Sequence, residues 1–392
     1  VAFDFLAFSL QEKDDFEKKI SHLKNLWISF LLISLHTAYS LYIRLFSYLS
    51  TTVEMEVCMK KALIVLLVLA TVLGTAFAQG GSEASQKTTT LMLSEVHAEG
   101  YPTTLADREF ARLVEERTNG RIKVEVYSGG TLYGQETGAI EALQIGDLAF
   151  ARVSASPVAS YVPKINALQM PYLYRDGEHM WKVLNGEIGQ GLLADIQTSG
   201  SGLVGLAYYD AGSRNFYTKK PVKSLADMAG LKIRMQNNQM MVRMVELLGA
   251  NGVTGIGPND VYSAITQGTI DGAENNWPTY ESMGDYEAAP YFLLDGHTRV
   301  PEILLASESV MKKLDPADVQ IIKQVAKETQ AFEIQKWAER EQASKAKVVA
   351  AGSVVTELTS AQLAEFQAKM APLYEEYGKA YKDVITAIQN VK

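Results

Sequence analysis

Arg234 closes the run Gly230-Leu231-Lys232-Ile233-Arg234, and the amides Gln236, Asn237 and Asn238 follow it almost at once. A guanidinium is a planar, permanently charged fork of donors, which matches a carboxylate better than any other side chain does. Leu231, Ile233 and Met235 alternate with Lys232 and Arg234, as in a short strand. Alternation alone fits a solvated edge strand better; the amide run that follows tips the reading, placing the strand's end at a loop rimming a cleft. Further along, the Asp271-Gly272 turn leads into Glu274, Asn275, Asn276 and Trp277. Asn and Asp beside Gly form ordinary turns. Two consecutive Asn before a Trp offer more: amide donors and acceptors for hydroxyls and carboxylates, and an apolar face for a sugar ring. Arg214 lies just beyond a second apolar run, where a ligand contact and an interdomain salt bridge are both open readings. In the first part of the chain, His97 and Tyr101 follow a strand, and Glu136 opens a helix whose N-terminal amides favour anions. Arg152 interrupts an apolar strand between Ala151 and Val153. For each of these four, a cap or surface contact is the plain alternative.

The rest of the chain offers little for catalysis. It contains no G-x-S-x-G, no H-E-x-x-H, no phosphate-binding P-loop and no dinucleotide fingerprint. His97, His179 and His297 are isolated in sequence, and the single cysteine, Cys58, lies near the N-terminus. No cofactor or metal is called for. The net charge of −8, with no basic stripe interleaved with aromatics, argues against nucleic acid. In an acidic protein an anion must be held by a local arginine, because the overall field does not attract it.

The elements expected to position these groups alternate between strand and helix. Thr90–Val96, the alternating Ile122-Lys123-Val124-Glu125-Val126 and Leu148–Val153 read as strands, separated by helices over Pro102–Thr118 and about 135–145. Gly202–Tyr209, Leu231–Met235 and Thr298–Ser307 read as further strands, with helices at Met240–Leu248 and Pro258–Gln267. The pattern is α/β with parallel strands, where ligands sit beyond the carboxyl ends. From Asp315-Pro316 to Ala351 no Gly occurs, and no Pro after Pro316. One helix of that length extends on the order of 50 Å, more than one domain's width. No sustained heptad supports a coiled coil, so it is expected to lie across two domains, with the helical stretch Ser360–Val391 packed behind it.

Met59-Lys60-Lys61, the apolar run Ala62–Leu73 and Ala76-Phe77-Ala78 form a charged, an apolar and an A-x-A segment, the pattern of an export signal cleaved near Ala78-Gln79. Residues 59–78 are thus expected to be a signal peptide and the protein periplasmic. Residues 1–58, which begin with Val, are read as an over-extended frame absent from the mature chain.

From about Thr88 to Lys392 the sequence resembles the solute-binding proteins of tripartite ATP-independent periplasmic (TRAP) transporters, dicarboxylate-binding type. The likeness rests on Thr118-Asn119-Gly120-Arg121-Ile122, Gly146-Asp147-Leu148, Leu168–Tyr172, Pro221–Gly230, Gly230–Arg234, Val261–Gly268 and Asp271–Asn275. The resemblance implies a periplasmic-binding-protein-like fold: two α/β domains around a cleft, with a long helix at about 315–351 spanning both. Domain I is expected at 86–211 plus 301–340, and domain II at 212–300 plus 341–392. It also implies an organic-acid ligand, delivered by a monomer to the small and large TRAP membrane subunits under an ion gradient, usually sodium. By resemblance Arg234 is the selectivity arginine, Arg214 the second arginine, Asn275 the polar asparagine and Glu136 the acidic position opening the second helix. Ser154 stands where sialate-binding members carry Glu. Asn275–Trp277 with Arg152-Val153-Ser154 resembles hexuronate-binding members, the alternatives being C4-dicarboxylates or other sugar acids. The expected ligand contacts are Arg234, Arg214, Asn275, Asn276, Glu136, Arg152, His97, Tyr101, Asn237 and Trp277. Two rivals are a binding protein of an ATP-driven importer, not expected to share the Arg234 and Asn275 motifs, and a periplasmic enzyme acting on acidic sugars.

Overall fold

A computed structural model describes residues 88–392. The expected signal segment and everything before it lie outside the described residues. Within 88–392 the chain builds two mixed sheets. The first has the order β2-β1-β3-β10-β4, made of Thr89–Ser94 (β1), Ile122–Tyr127 (β2), Phe150–Ser154 (β3), Leu203–Tyr209 (β4) and Glu302–Ser307 (β10). The second, β11-β9-β5-β8-β6-β7, contains Arg214–Thr218 (β5), Lys232–Arg234 (β6), Asn251–Val253 (β7), Gly272–Asn275 (β8), Tyr291–Thr298 (β9) and Val354–Glu357 (β11).

Local chemistry accounts for most of these elements. In β2, Ile122, Val124 and Val126 are buried while Lys123 is exposed, the period-two pattern of a strand covered on one face. Helix α1 (Pro102–Arg117) starts on Pro102, where the missing N–H costs nothing, and ends at Asn119 and Gly120, both at positive φ. Helix α2 (Glu136–Ile145) stops at Gly146, φ 83°, where an added Cβ would come within 2.4 Å of Ser309 Oγ. Helix α3 (Gln239–Leu247) is capped by Asn238, whose Oδ1 accepts from the amides of Met240 and Met241 at 2.8 and 3.3 Å.

Three features depart from the sequence reading. The sheets are not all parallel: β10 runs antiparallel to both β3 and β4, and β5 antiparallel to both β8 and β9. The cause is the route of the chain, which passes from the first sheet to the second after Tyr209 and returns after Thr298, so the first strand after each passage enters reversed. The C-terminal helical stretch also packs elsewhere than behind the long helix. It is divided among Ser360–Ala368, Ala371–Leu373, a π turn at Tyr374–Gly378 and Lys382–Asn390. It packs on Glu187–Thr198, Pro163–Leu168 and α3. Strands β5, β7, β8, β9 and β11 were not anticipated as separate strands, and the segment after Asp271, read as a turn, is β8.

The long helix is present, with bounds Pro316–Ala350 (α5) and Asp315 as its cap. It packs on α1 and β4 at one end, where Arg121 pairs with Asp318 at 2.6 Å. At the other it packs on a short helix, α4 (Trp277–Ser282), where Arg340 and Lys347 both pair with Glu281. It therefore bridges the elements of the two sheets, each of which anchors one lobe.

Candidate ligand-binding site

Reversal of β5 and β10 decides where the chemistry collects. Parallel strands present their carboxyl ends at one rim, and an antiparallel neighbour presents its first residue there. Arg152 and Ser154 at the end of β3 meet Glu302 at the start of β10, which is in register with Ser154. In the second lobe, Arg234 ends β6 and Asn275 ends β8, while Arg214 begins β5 beside Asn275.

Strand β6 is hydrogen-bonded on both sides, by β7 and β8, so the edge-strand reading of Arg234 fails. The side chain is only 7% exposed. Its Nε and Nη2 both donate to the carbonyl of Ile256, at 2.9 and 2.8 Å. Among the described residues Arg234 makes no ion pair, and its Nη1 has no hydrogen-bond acceptor. Burial holds its guanidinium below the usual arginine range, although Glu274 pulls the other way.

Arg214 is spent differently. Glu274 grips its fork, with Nη2 to Oε1 at 2.8 Å and a second contact at Nε, and Nη2 also reaches the Glu274 carbonyl at 2.8 Å. The remaining Nη1 donates to Asn275 Oδ1 at 3.1 Å. That leaves Asn275 Nδ2 without an acceptor among the described residues. His297 stands behind Glu274, 3.3 Å away, with Asp295 at 2.9 Å from its other nitrogen. Burial opposes both charges, yet Arg214 and His297 hold Glu274 down at about 2, and Asp295 and Glu274 push His297 up to about 9. Arg214, Glu274, His297 and Asp295 thus form a neutralised scaffold on which Asn275 is aimed.

The first lobe contributes a second charged cluster. Arg152, 1% exposed, donates from Nε to Glu95 at 2.8 Å, and from Nη1 to both Glu136 at 2.8 Å and Glu302 at 2.6 Å. Its Nη2 pairs with Glu95 and with His97 Nδ1, which must accept at 2.8 Å. Burial and the neighbouring Arg152 hold His97 below the usual imidazole range. Burial, reinforced by Glu136 and Glu95, pushes Glu302 up to about 7 despite Arg152. Glu136 also accepts from the Ser154 amide at 3.0 Å. The hydroxyl of Ser154 and the side-chain oxygen of Gln236 are buried without partners.

The lobes meet along a seam. The Tyr101 hydroxyl, carried by a ring stacked 3.8 Å from His97, lies 2.9 Å from Thr279 Oγ1. Gln135 donates to the carbonyl of Gly255 at 3.0 Å, and Asn259 to that of Gly129 at 3.2 Å.

Residues 93–380 match the family model described as DctP, bacterial extracellular solute-binding protein, family 7. The chain belongs to this family. A solute-binding protein of Chromohalobacter salexigens is 34% identical over 76% of this chain and 87% of its own length. A TRAP periplasmic solute-binding protein from Pseudomonas putida F1, solved with bound D-glucuronate, is 38% identical with a TM-score of 0.75, covering 78% of this chain and 98% of that one. One from a Bradyrhizobium species, in complex with D-galacturonate, is 38% identical with a TM-score of 0.74, covering 77% and 100%. The protein is accordingly a periplasmic solute-binding protein of the TRAP type and not an enzyme; its family binds small organic acids and works with TRAP membrane subunits.

Within this solute-binding protein, Arg234, Asn275, Glu136, Arg152, His97 and Tyr101 gather at or beside the seam, and Arg214 braces Asn275. Three expected contacts have other work. Asn276 caps α4, its Oδ1 accepting from the Thr279 amide at 2.8 Å. Asn237 ties two loops, accepting from the Gly255 amide at 2.9 Å and, through its carbonyl, from Ser160. Trp277 is a core residue: it stacks on Phe292 with ring centres 3.8 Å apart and is 5% exposed, so it offers no open face to a sugar. Glu95 and Glu302 were missed as site residues. The one signal in sequence is a lone acid at the end or start of an apolar strand, which implies a buried charge with a partner elsewhere.

Proposed function

We propose that this protein captures a hexuronate such as glucuronate or galacturonate and delivers it, as a monomer, to the TRAP membrane subunits. The carrying observation is Arg234: a buried guanidinium whose only described acceptor is a backbone carbonyl. A buried cation is normally paired, and the ligand carboxylate is the natural partner for its Nη1, with Asn275 Nδ2 as a second donor. The unpartnered Ser154 hydroxyl and Gln236 oxygen suit the hydroxyls of a sugar ring. Relatives solved with uronates support the same reading. The lobes correspond to 86–211 plus 301–340 and 212–300 plus 341–392, and export proceeds with cleavage near Ala78-Gln79.

A thermal-shift series tests it, since a ligand of the native state raises the melting temperature. D-Glucuronate and D-galacturonate are expected to stabilise the protein strongly, and neutral glucose not at all. Stabilisation by succinate alone would replace the uronate reading with a dicarboxylate one.

A further inference from the structure

The charges of the two lobes do not balance separately. At the rim of the second lobe Arg214 is matched by Glu274 and His297 by Asp295, and the buried Asp285 accepts from the Tyr217 hydroxyl. That leaves Arg234 as the cation without an ion pair among the described residues. In the first, Glu95, Glu136 and Glu302 all converge on Arg152, and the neighbouring His97 is held towards its neutral form, so carboxylate is in excess. The two excesses lie beside one seam contact. Glu136 follows Gln135, which bonds the carbonyl of Gly255; Arg234 bonds that of Ile256, the next residue. An added Cβ on Gly257 would lie 2.8 Å from the Gly134 carbonyl, so little room separates the two rims here. Even so, Arg234 and Glu136 do not pair.

We propose that Glu136 and Glu302 act as a specificity filter: they accept hydroxyls of a ligand held by Arg234 and reject a second carboxylate on it. The site then takes hydroxylated monocarboxylates and excludes aldaric acids and other dicarboxylates of the same length. This rests on the uronate reading and adds the discrimination that the reading leaves open. An oxygen bearing a proton gains a strong acceptor at an ionised carboxylate. An oxygen bearing a charge meets one already crowded by like charges. At an effective dielectric of about 20, a unit charge brought to ~6 Å from one uncompensated carboxylate is repelled enough to weaken binding about a hundredfold.

Isothermal titration of D-glucuronate and D-glucarate at pH 8.5, above the value of about 7 to which Glu302 is pushed, against the wild-type protein, Glu136→Gln and Glu302→Gln tests the filter. The two acids share six carbons and differ at one end by a carboxylate. The wild type is expected to favour glucuronate about a hundredfold or more, and each amide variant to narrow that ratio by about tenfold, because the acceptor remains while the charge goes. Ring and open-chain shape contribute equally to all three proteins and cancel from the change in ratio. Unliganded melting curves identify a variant that fails to fold, in which case the other decides. Glucuronate binding with no preference over glucarate, or a ratio unchanged in both variants, overturns the filter and leaves the uronate reading standing. Glucarate or succinate binding without glucuronate binding overturns both.

Discussion

Replacing Arg234 by methionine separates a binding arginine from a structural one, because the two roles predict opposite signs. Within the protein itself Arg234 is a buried charge held by one carbonyl. Substituting an apolar chain for buried ionic groups is often neutral or stabilising, by about 1–4 kcal/mol. Against that, the Ile256 carbonyl loses its donors, at a cost of about 1–3 kcal/mol. The balance lies near zero or slightly positive, so the unliganded melting temperature is expected to stay within ~4 °C of wild type or to rise. The liganded state responds in the other direction. Losing two charge-assisted hydrogen bonds at about 1.5–3 kcal/mol each removes ~3–6 kcal/mol, a factor of about 10²–10⁴ in Kd. Arg152→Met is the internal control: it strips the cation shared by three carboxylates, and breaking a buried pair costs about 3–5 kcal/mol. Differential scanning calorimetry with and without uronate, on both variants, reads all four quantities. If Arg234→Met destabilises the free protein as much as Arg152→Met while keeping its ligand-induced shift, the assignment of Arg234 as the ligand's anchor is wrong.

Three further outcomes are expected. Trp277→Ala, which empties a ring stacked on Phe292, costs about 3–5 kcal/mol of stability in denaturant unfolding; an unchanged midpoint would show that the ring is not part of the core. His297 is pushed from 6.5 up to about 9. Its folded value exceeds its unfolded one, so its contribution is whole below about pH 6.5 and is lost as pH rises through 9. That contribution amounts to ~3 kcal/mol. The gap in melting temperature between wild type and His297→Gln is expected to shrink between pH 6.5 and 9, and a constant gap counts against the raised value. Tyr101→Phe removes the hydroxyl that crosses to Thr279, worth about 1 kcal/mol, and weakens uronate binding about fivefold by calorimetric titration; equal affinity would mean that this contact does not favour the ligand-bound arrangement.

What was legible in the sequence follows from how local each signal is. The Pro316–Ala350 helix, the alternation of β2 and the Gly stops of α1 and α2 depend on neighbours in sequence, and they were readable to within a residue or two. The position of Arg234 at the end of a strand was legible because an arginine closing an alternating run, followed by amides, is a local arrangement. Trp277 was misjudged because the same local signal, an aromatic after a polar turn, serves a sugar platform and a core stack alike. Phe292, on a strand that was not anticipated, decided between them. Glu302 was invisible for a topological reason. The first residue of a strand reaches the ligand rim only if the strand runs backwards, and its direction is set by the return passage after Thr298. Arg214 was left open between ligand and salt bridge, and Glu274, on the adjacent antiparallel strand, supplies its ion pair.

The uneven charge distribution also bears on closure. The direct bonds across the rim include Gln135 to Gly255, Asn259 to Gly129, Tyr101 to Thr279 and Ser160 to Asn237, and these are neutral. A neutral hydrogen bond exchanged with water is worth about 0.5–1.5 kcal/mol net, and part of that is lost in ordering two long amides. Such contacts can set the register of the rims but hold them together only weakly. A cation in excess on one rim and carboxylates in excess on the other would draw the lobes together if they could pair, yet Arg234 and Glu136 find other partners. A uronate supplies what the protein lacks, a carboxylate for the first and hydroxyls for the second. Its affinity is therefore concentrated in the arrangement where both rims reach it, and that difference in affinity is the quantity that shifts a two-state equilibrium.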